Sequence, residues 1–250
     1  MNIITLSLWN PPDYALLPMH YGVFWEIFNL SLWVIMFTYC YKTFGKYTTL
    51  KIFGIGMIYG MVLENGGPIV VPELGFEGYF WEETYMIYLF EIGGVGYRVS
   101  KVPLATHLGW CNVFFISYVF YEQIARAFPS IREGKVKSIL LGFLIITSSG
   151  LMRDLMLDPI ATRFRWWTWN QNLLPIWFGV PLINYIAWFW AVGVFGATWV
   201  WVHQRTGKDG RILSEKEQTK LLFYMLPAMW VIDTIGVMIT KEIFNSFGLI

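Results

Sequence analysis

The stretch WFGVPLINYIAWFWAVGVFGATWVWV, Trp177 to Val202, contains no charged side chain. A helix needs about 20 mostly apolar residues to cross a bilayer core, so this stretch reads as a transmembrane span. The 250-residue chain shares its character, with 56% hydrophobic and 14% charged residues; a soluble domain has about 25% charged. A soluble fold is excluded. Aromatic residues make up 19%, including 14 Trp, and Trp and Tyr rings favour the lipid–water interface. A net charge of +1 supplies no field for a polyanion, which excludes nucleic acid as a partner. Cys40 and Cys111 sit in apolar runs, so neither a disulfide framework nor a zinc site is expected. Residues 1–20 hold Pro11, Pro12, Asp13 and Pro18 in place of a basic start and an apolar run. No signal peptide is read, and the first hydrophobic helix is expected to insert uncleaved.

Four more stretches are long enough to span: Gly22–Tyr41, Val102–Tyr121, Val136–Leu157 and Leu221–Thr240. Thr49–Leu63 is short and glycine-containing, tolerable if flanking residues add length. The expected fold is an all-α integral membrane protein of about six transmembrane helices, one polytopic domain over residues 1–250. Between Glu64 and Lys101 lie six glutamates (Glu64, Glu73, Glu77, Glu82, Glu83, Glu91), and Tyr85–Ile92 is apolar but too short to span. The region near 85–97 is expected to form a re-entrant or interfacial helix.

Basic residues set orientation, because Lys and Arg concentrate in cytoplasmic loops. Loops after the first, third and fifth spans hold twelve: Lys42, Lys46, Lys51; Arg126, Arg132, Lys135, Lys137; Arg205, Lys208, Arg211, Lys216, Lys220. The opposite side holds six: Arg98, Lys101, Arg153, Arg163, Arg165 and Lys241. Both termini are therefore expected on the non-cytoplasmic side of the cell membrane.

The segment VPLATHLGW, Val102–Trp110, recurs as VPLINYIAW, Val180–Trp188, with Val, Pro, Leu and Trp at one spacing. Upstream of each copy, a span leaving the basic side ends in an acid, Glu64 in GMVLEN and Asp154 in GLMRDL, followed by an aromatic-rich connection. The pattern suggests a parallel internal repeat, about 49–121 and 136–202, related by an axis along the membrane normal. Glu64 and Asp154 would then face each other near the non-basic surface.

Acids in or beside a span are costly, roughly 2.5–3.5 kcal/mol at the bilayer centre, and need a reason. Asp154 and Asp158 are four residues apart and share one helix face. Pro159 is expected to make Asp158 the last helical residue. Two like charges at that spacing repel, which favours a proton on one carboxyl, the state a general acid needs. The plainer alternative has Asp158 capping the helix or pairing with Arg163 or Arg165, and Glu64 as a solvated loop residue. Glu26 and Asp233 are further intramembrane acids, and His20, His107 and His203 are too dispersed for a metal site. RFRWWTW, Arg163–Trp169, suits interfacial anchoring, and equally a pocket whose ring faces stabilise a carbocation.

The run DLMLDPIATRFRWWTW (Asp154–Trp169) followed by FGVPLINYIAW (Phe178–Trp188) resembles the membrane carotenoid biosynthesis proteins of the carotenoid hydratase type. The matching positions are Asp154, Asp158, Pro159, Trp167, Trp169, Gly179, Val180, Pro181, Asn184 and Trp188. A weaker first-half likeness rests on Glu64, Gly67, GFEGYFW at Gly75–Trp81, Val102-Pro103-Leu104 and Trp110; together the two cover roughly residues 55–200. The resemblance implies addition of water to a terminal double bond of a lipid-soluble polyene, with no cofactor or metal. Asp154 would donate the proton, Asp158 or Glu64 would orient water, and Trp167 and Trp169 would stabilise the cation. Asn184, His107 and Tyr79 complete the expected substrate-binding set. Two other classes stay open: a non-catalytic subunit whose 23 Gly allow close packing against partner membrane proteins and lipid, and an ion pathway through Glu26, Glu64, Asp154 and Asp233.

Overall fold

A computed structural model describes residues 19–71, 76–79, 88–92, 95–98, 104–163, 167–169 and 175–248, with side chains inside these ranges from Ile27 onward except at 68–69, 76–79, 88–92, 95–98, 104–105, 163 and 167–168. The chain is mostly helical. Helix α1 (Met19–Thr49) contains a break at Gly45. There φ is 83°, a left-handed conformation that glycine adopts without a Cβ penalty. The chain then continues through a π-helical segment, Leu50–Ile55, into α2, Gly56–Val70. The break thus falls at Gly45, inside the connection expected between the first two stretches, Tyr41 to Thr49. The helical path from 46 to 70 is roughly 37 Å at the usual rise, so flanking residues on both sides lengthen the short second stretch.

Helices α3 (Leu104–Ala127), α4 (Lys135–Arg163) and α5 (Leu182–His203) match three more predicted stretches. The last predicted stretch is divided between α6 (Glu215–Tyr224) and α7 (Leu226–Ser246), which bend by 51° at the intervening residue. Ser214 caps α6 in a capping box with Glu217, which explains why that helix starts there. Pro227 in the first turn of α7 cannot donate a backbone N–H, and the axis bends there. Among the described residues, two helices are long and apolar enough to cross a membrane, 135–162 and 182–203; the bent α6–α7 pair makes a third if it is one broken span.

The reading of 85–97 as a helix is corrected. Strands β2 (Tyr88–Ile92) and β3 (Val95–Arg98) pair antiparallel there. Gly93, Gly94 and Gly96 are poor helix formers, and a Gly-Gly pair between aromatic and β-branched residues suits a hairpin. The all-α expectation is corrected with it. Strand β1 (Phe76–Tyr79) pairs with β4 (Trp167–Trp169), and β5 (Pro175–Trp177) pairs with β6 (Val180–Pro181). Trp177, read as the start of a span, lies in β5, and α5 begins at Leu182.

Helix α5 is the core of the bundle, packed against α4 and α7. A Cβ on Gly196 would lie 2.8 Å from Ile146 Cβ and 3.0 Å from the Gly142 carbonyl, so α4 and α5 approach closely only because glycine stands there. Outward faces are apolar: α4 exposes Leu140, Leu144, Met152 and Met156, and α7 exposes Val231, Ile235, Met238 and Ile239. Asn112, Asp154, Asp158, Asn184 and Asp233 are buried. Apolar outside and polar inside is the distribution lipid selects. Phe114 and Phe195 stack at 4.0 Å between α3 and α5, and Trp110 stacks on Trp188 at 4.4 Å.

Candidate active site

Asp154 and Asp158 project from one face of α4 and are 0% and 4% exposed. Opposite them, at the start of α5, the Asn184 amide donates to Asp154 Oδ2 at 3.0 Å and to Asp158 Oδ2 at 2.7 Å. One NH2 group has two hydrogens, so Asn184 spends one on each carboxyl and clamps them together. Asn184, read as a substrate contact, is therefore first a clamp on the acids. Asp154 Oδ1 is buried and has no partner among the described residues.

Pro159 does not end α4. The helix continues to Arg163 with Pro159 inside, which corrects the expected stop at Asp158. Proline leaves the carbonyl four residues earlier without its helical donor. That carbonyl belongs to Leu155, and the Trp177 indole N–H donates to it at 3.1 Å. Trp169 is likewise tied to the helix end, donating from Nε1 to Thr162 Oγ1 at 3.0 Å. It packs with Ala161, Val180 and Tyr185 in a small buried cluster.

Glu64, on α2, accepts the Trp110 indole N–H at 2.7 Å and lies within electrostatic range of Asp158. Three expected acids from two helices therefore share one region. Trp110 carries Glu64 on its nitrogen and Trp188 on its face, which makes it a support for the site. His107 is buried on α3. Tyr79 and Trp167 are cross-strand partners in the β1–β4 pair, so the two aromatic connections meet; the positions of their side chains lie outside the described residues. Glu73, Glu82 and Glu83 lie outside the described residues, as do the side chains of Glu26, Glu77, Glu91 and Arg163. Asp233 is buried on α7, and its Oδ1 has no partner among the described residues.

Two neighbours were not singled out from the sequence. Arg153, counted there as a surface cation, reaches from α4 to the Gly109 carbonyl of α3 at 3.3 Å, within electrostatic range of Asp154 and Asp158. A cation inside a span is itself a signal of an acidic partner, and its place beside Asp154 could have shown it. Tyr185, next to Asn184, lies within range of both aspartates, and its hydroxyl is buried without a partner among the described residues. In sequence it reads as one more aromatic among many. Among the described residues, the ion pairs join Lys51 to Glu215, Arg132 to Glu122 and Arg211 to Asp209, and none includes Asp154, Asp158 or Glu64. No group of three or more His, Cys, Asp and Glu among the described residues is arranged to hold a metal ion.

The arrangement suits proton transfer in a water-poor setting: a clamped acid pair, a third carboxyl and aromatic rings at the end of α4. Comparison with curated proteins finds no match, and no solved structure matches. The family profile described as carotenoid biosynthesis protein matches residues 24–249. Such a family implies a lipid-soluble isoprenoid substrate and, with the apolar helices, points to a membrane protein. With nearly its whole length matched, the chain belongs to the carotenoid biosynthesis protein family.

Proposed function

We propose that this protein is a carotenoid hydratase, adding water across a terminal C=C bond of an acyclic polyene. The observation that carries this reading is the Asn184 clamp, which holds two buried carboxyls together and leaves Asp154 Oδ1 without a partner among the described residues. Asp154 donates its proton to the less substituted alkene carbon. The π electrons form the new C–H bond, and the adjacent carbon becomes a tertiary cation. A water molecule oriented by Asp158 or Glu64 adds to that cation, and its surplus proton returns to a carboxylate. Atoms and charge balance without a redox partner. Trp169 and Tyr185 offer ring faces to the cation, and Trp167 is proposed to join them. A desolvated setting strengthens each of these interactions.

We further infer six spans, both termini outside, and a duplicated helix–loop–helix unit with its axis along the membrane normal. Two contacts support the duplication: matching tryptophans stack on each other, and the two aromatic connections pair antiparallel. The polyene enters sideways between helices, with its reactive end at the non-basic surface. The test is pigment analysis in a host that accumulates an acyclic carotene, with and without the gene. A hydroxylated product that depends on the gene is expected; an unchanged pigment profile despite accumulated protein would point to the non-catalytic subunit instead.

A further inference from the structure

The end of α5 away from the acid clamp carries a second polar site, independent of the proposed reaction. We propose that it binds a phospholipid headgroup bearing both a primary ammonium and a phosphate, as in phosphatidylethanolamine.

A cavity of about 360 Å³ is lined there by Glu122, Arg132, Trp199, His203, Gln204 and Glu215, among others. Beneath it lies Lys51, 0% exposed. The Lys51 ammonium contacts Glu215 Oε2 at 2.8 Å, His203 Nε2 at 2.9 Å and Gln218 Oε1 at 3.4 Å, and sits 4.9 Å from the Trp199 ring centre. An ammonium has three N–H groups, so Lys51 is fully used and fixed. Since Nε2 of His203 accepts from Lys51, its proton is on Nδ1, which donates to the Trp199 carbonyl at 2.7 Å. His203 is therefore neutral in this arrangement, and the floor of the cavity is built before any ligand arrives.

The groups left over decide the ligand. Arg132 donates to Glu122 Oε2 at 2.8 Å, and a guanidinium has five N–H groups, so donors remain for a phosphate. Gln204 Oε1 is buried without a partner among the described residues, and Glu122 and Glu215 each keep a second oxygen. Lys51 and Arg132 balance Glu122 and Glu215 in charge, which suits neither a simple anion nor a simple cation. A zwitterion matches both halves: phosphate on Arg132, and ammonium on Gln204 and the carboxylates. Choline has no N–H to give them. Exposed apolar Phe128 and Val136 flank Arg132 in sequence and offer a surface for acyl chains.

Native mass spectrometry of the full-length protein, exchanged into equal amounts of phosphatidylethanolamine, phosphatidylcholine and phosphatidylglycerol, tests this. Retained phosphatidylethanolamine is expected to exceed the others roughly tenfold. Arg132→Gln and Gln204→Leu, made separately, are each expected to erase that preference without shifting thermal unfolding in delipidated detergent. Free phosphoethanolamine in excess is expected not to displace the lipid. Equal retention of the three lipids, an unchanged preference in both variants, or full displacement by the free headgroup would each overturn the proposal.

Discussion

Trp110 lies face to face on Trp188, with ring centroids 4.4 Å apart and planes 17° apart. The two residues close VPLATHLGW and VPLINYIAW, so equivalent positions of two similar segments touch each other. Self-contact of this kind is what the proposed duplication would produce at a two-fold axis. The stack also joins the acids: Trp110 holds Glu64, and Trp188 lies one helical turn beyond Asn184, which holds Asp154 and Asp158.

That joint separates ring from nitrogen. Trp110→Phe keeps a face for Trp188 and removes the N–H on Glu64, leaving a largely buried carboxyl short of a donor at a cost of about 1–3 kcal/mol. Trp188→Ala removes the stack and leaves a void, for about 3 kcal/mol or more. Thermal unfolding in detergent should rank Trp188→Ala as the more damaging.

At Gly60 a Cβ would fall 2.6 Å from Trp110 Cβ, close to backbone that cannot swing away. Gly60→Ala should cost about 1–3 kcal/mol and lower hydration as well, because it displaces the tryptophan that holds Glu64. Gly210, with φ of 77° and nothing within 4 Å of a Cβ, is a surface comparison: Gly210→Ala should lose stability without losing product.

The Lys51–Glu215 pair is lopsided, with side chains 0% and 52% exposed. Removing Glu215 leaves a buried ammonium without its counter-charge, whereas removing Lys51 leaves a carboxylate that water can reach. Glu215→Ala should cost about 3–5 kcal/mol, and Lys51→Met distinctly less. Equal losses in chemical or thermal unfolding would show that the lysine is solvated in the membrane.

Orientation can be read by labelling. Cys40 and Cys111 are both buried, so native thiols give little background. A membrane-impermeant maleimide should label Ile176→Cys on intact cells, and Asp209→Cys only after lysis. The reverse pattern would invert the proposed topology.

Much of this was legible in sequence because lipid removes ambiguity. An acid in an apolar run needs a partner, so Glu64, Asp154 and Asp158 stood out and do share a region. Pattern could not reveal that Pro159 is tolerated, because the indole that serves the Leu155 carbonyl comes from Trp177, across a loop. Lys51 and Arg153 were counted as surface cations; each is held inside by partners on other helices, Glu215 and the Gly109 carbonyl. Long-range contacts of this kind leave no local periodicity. The pairing of β2 with β3 was missed for a nearer reason, since Tyr88–Ile92 is a short apolar run that strand and helix share.

The proposed proton donor is Asp154, whose carboxyl the Asn184 amide holds. In a host accumulating an acyclic carotene, wild-type protein should yield product heavier by one water, Asn184→Leu at least about tenfold less, and Asp154→Asn none, at equal membrane abundance. Chromatography with mass detection of the extracted pigments makes the comparison. Hydrated product from Asp154→Asn at the wild-type level would contradict the account.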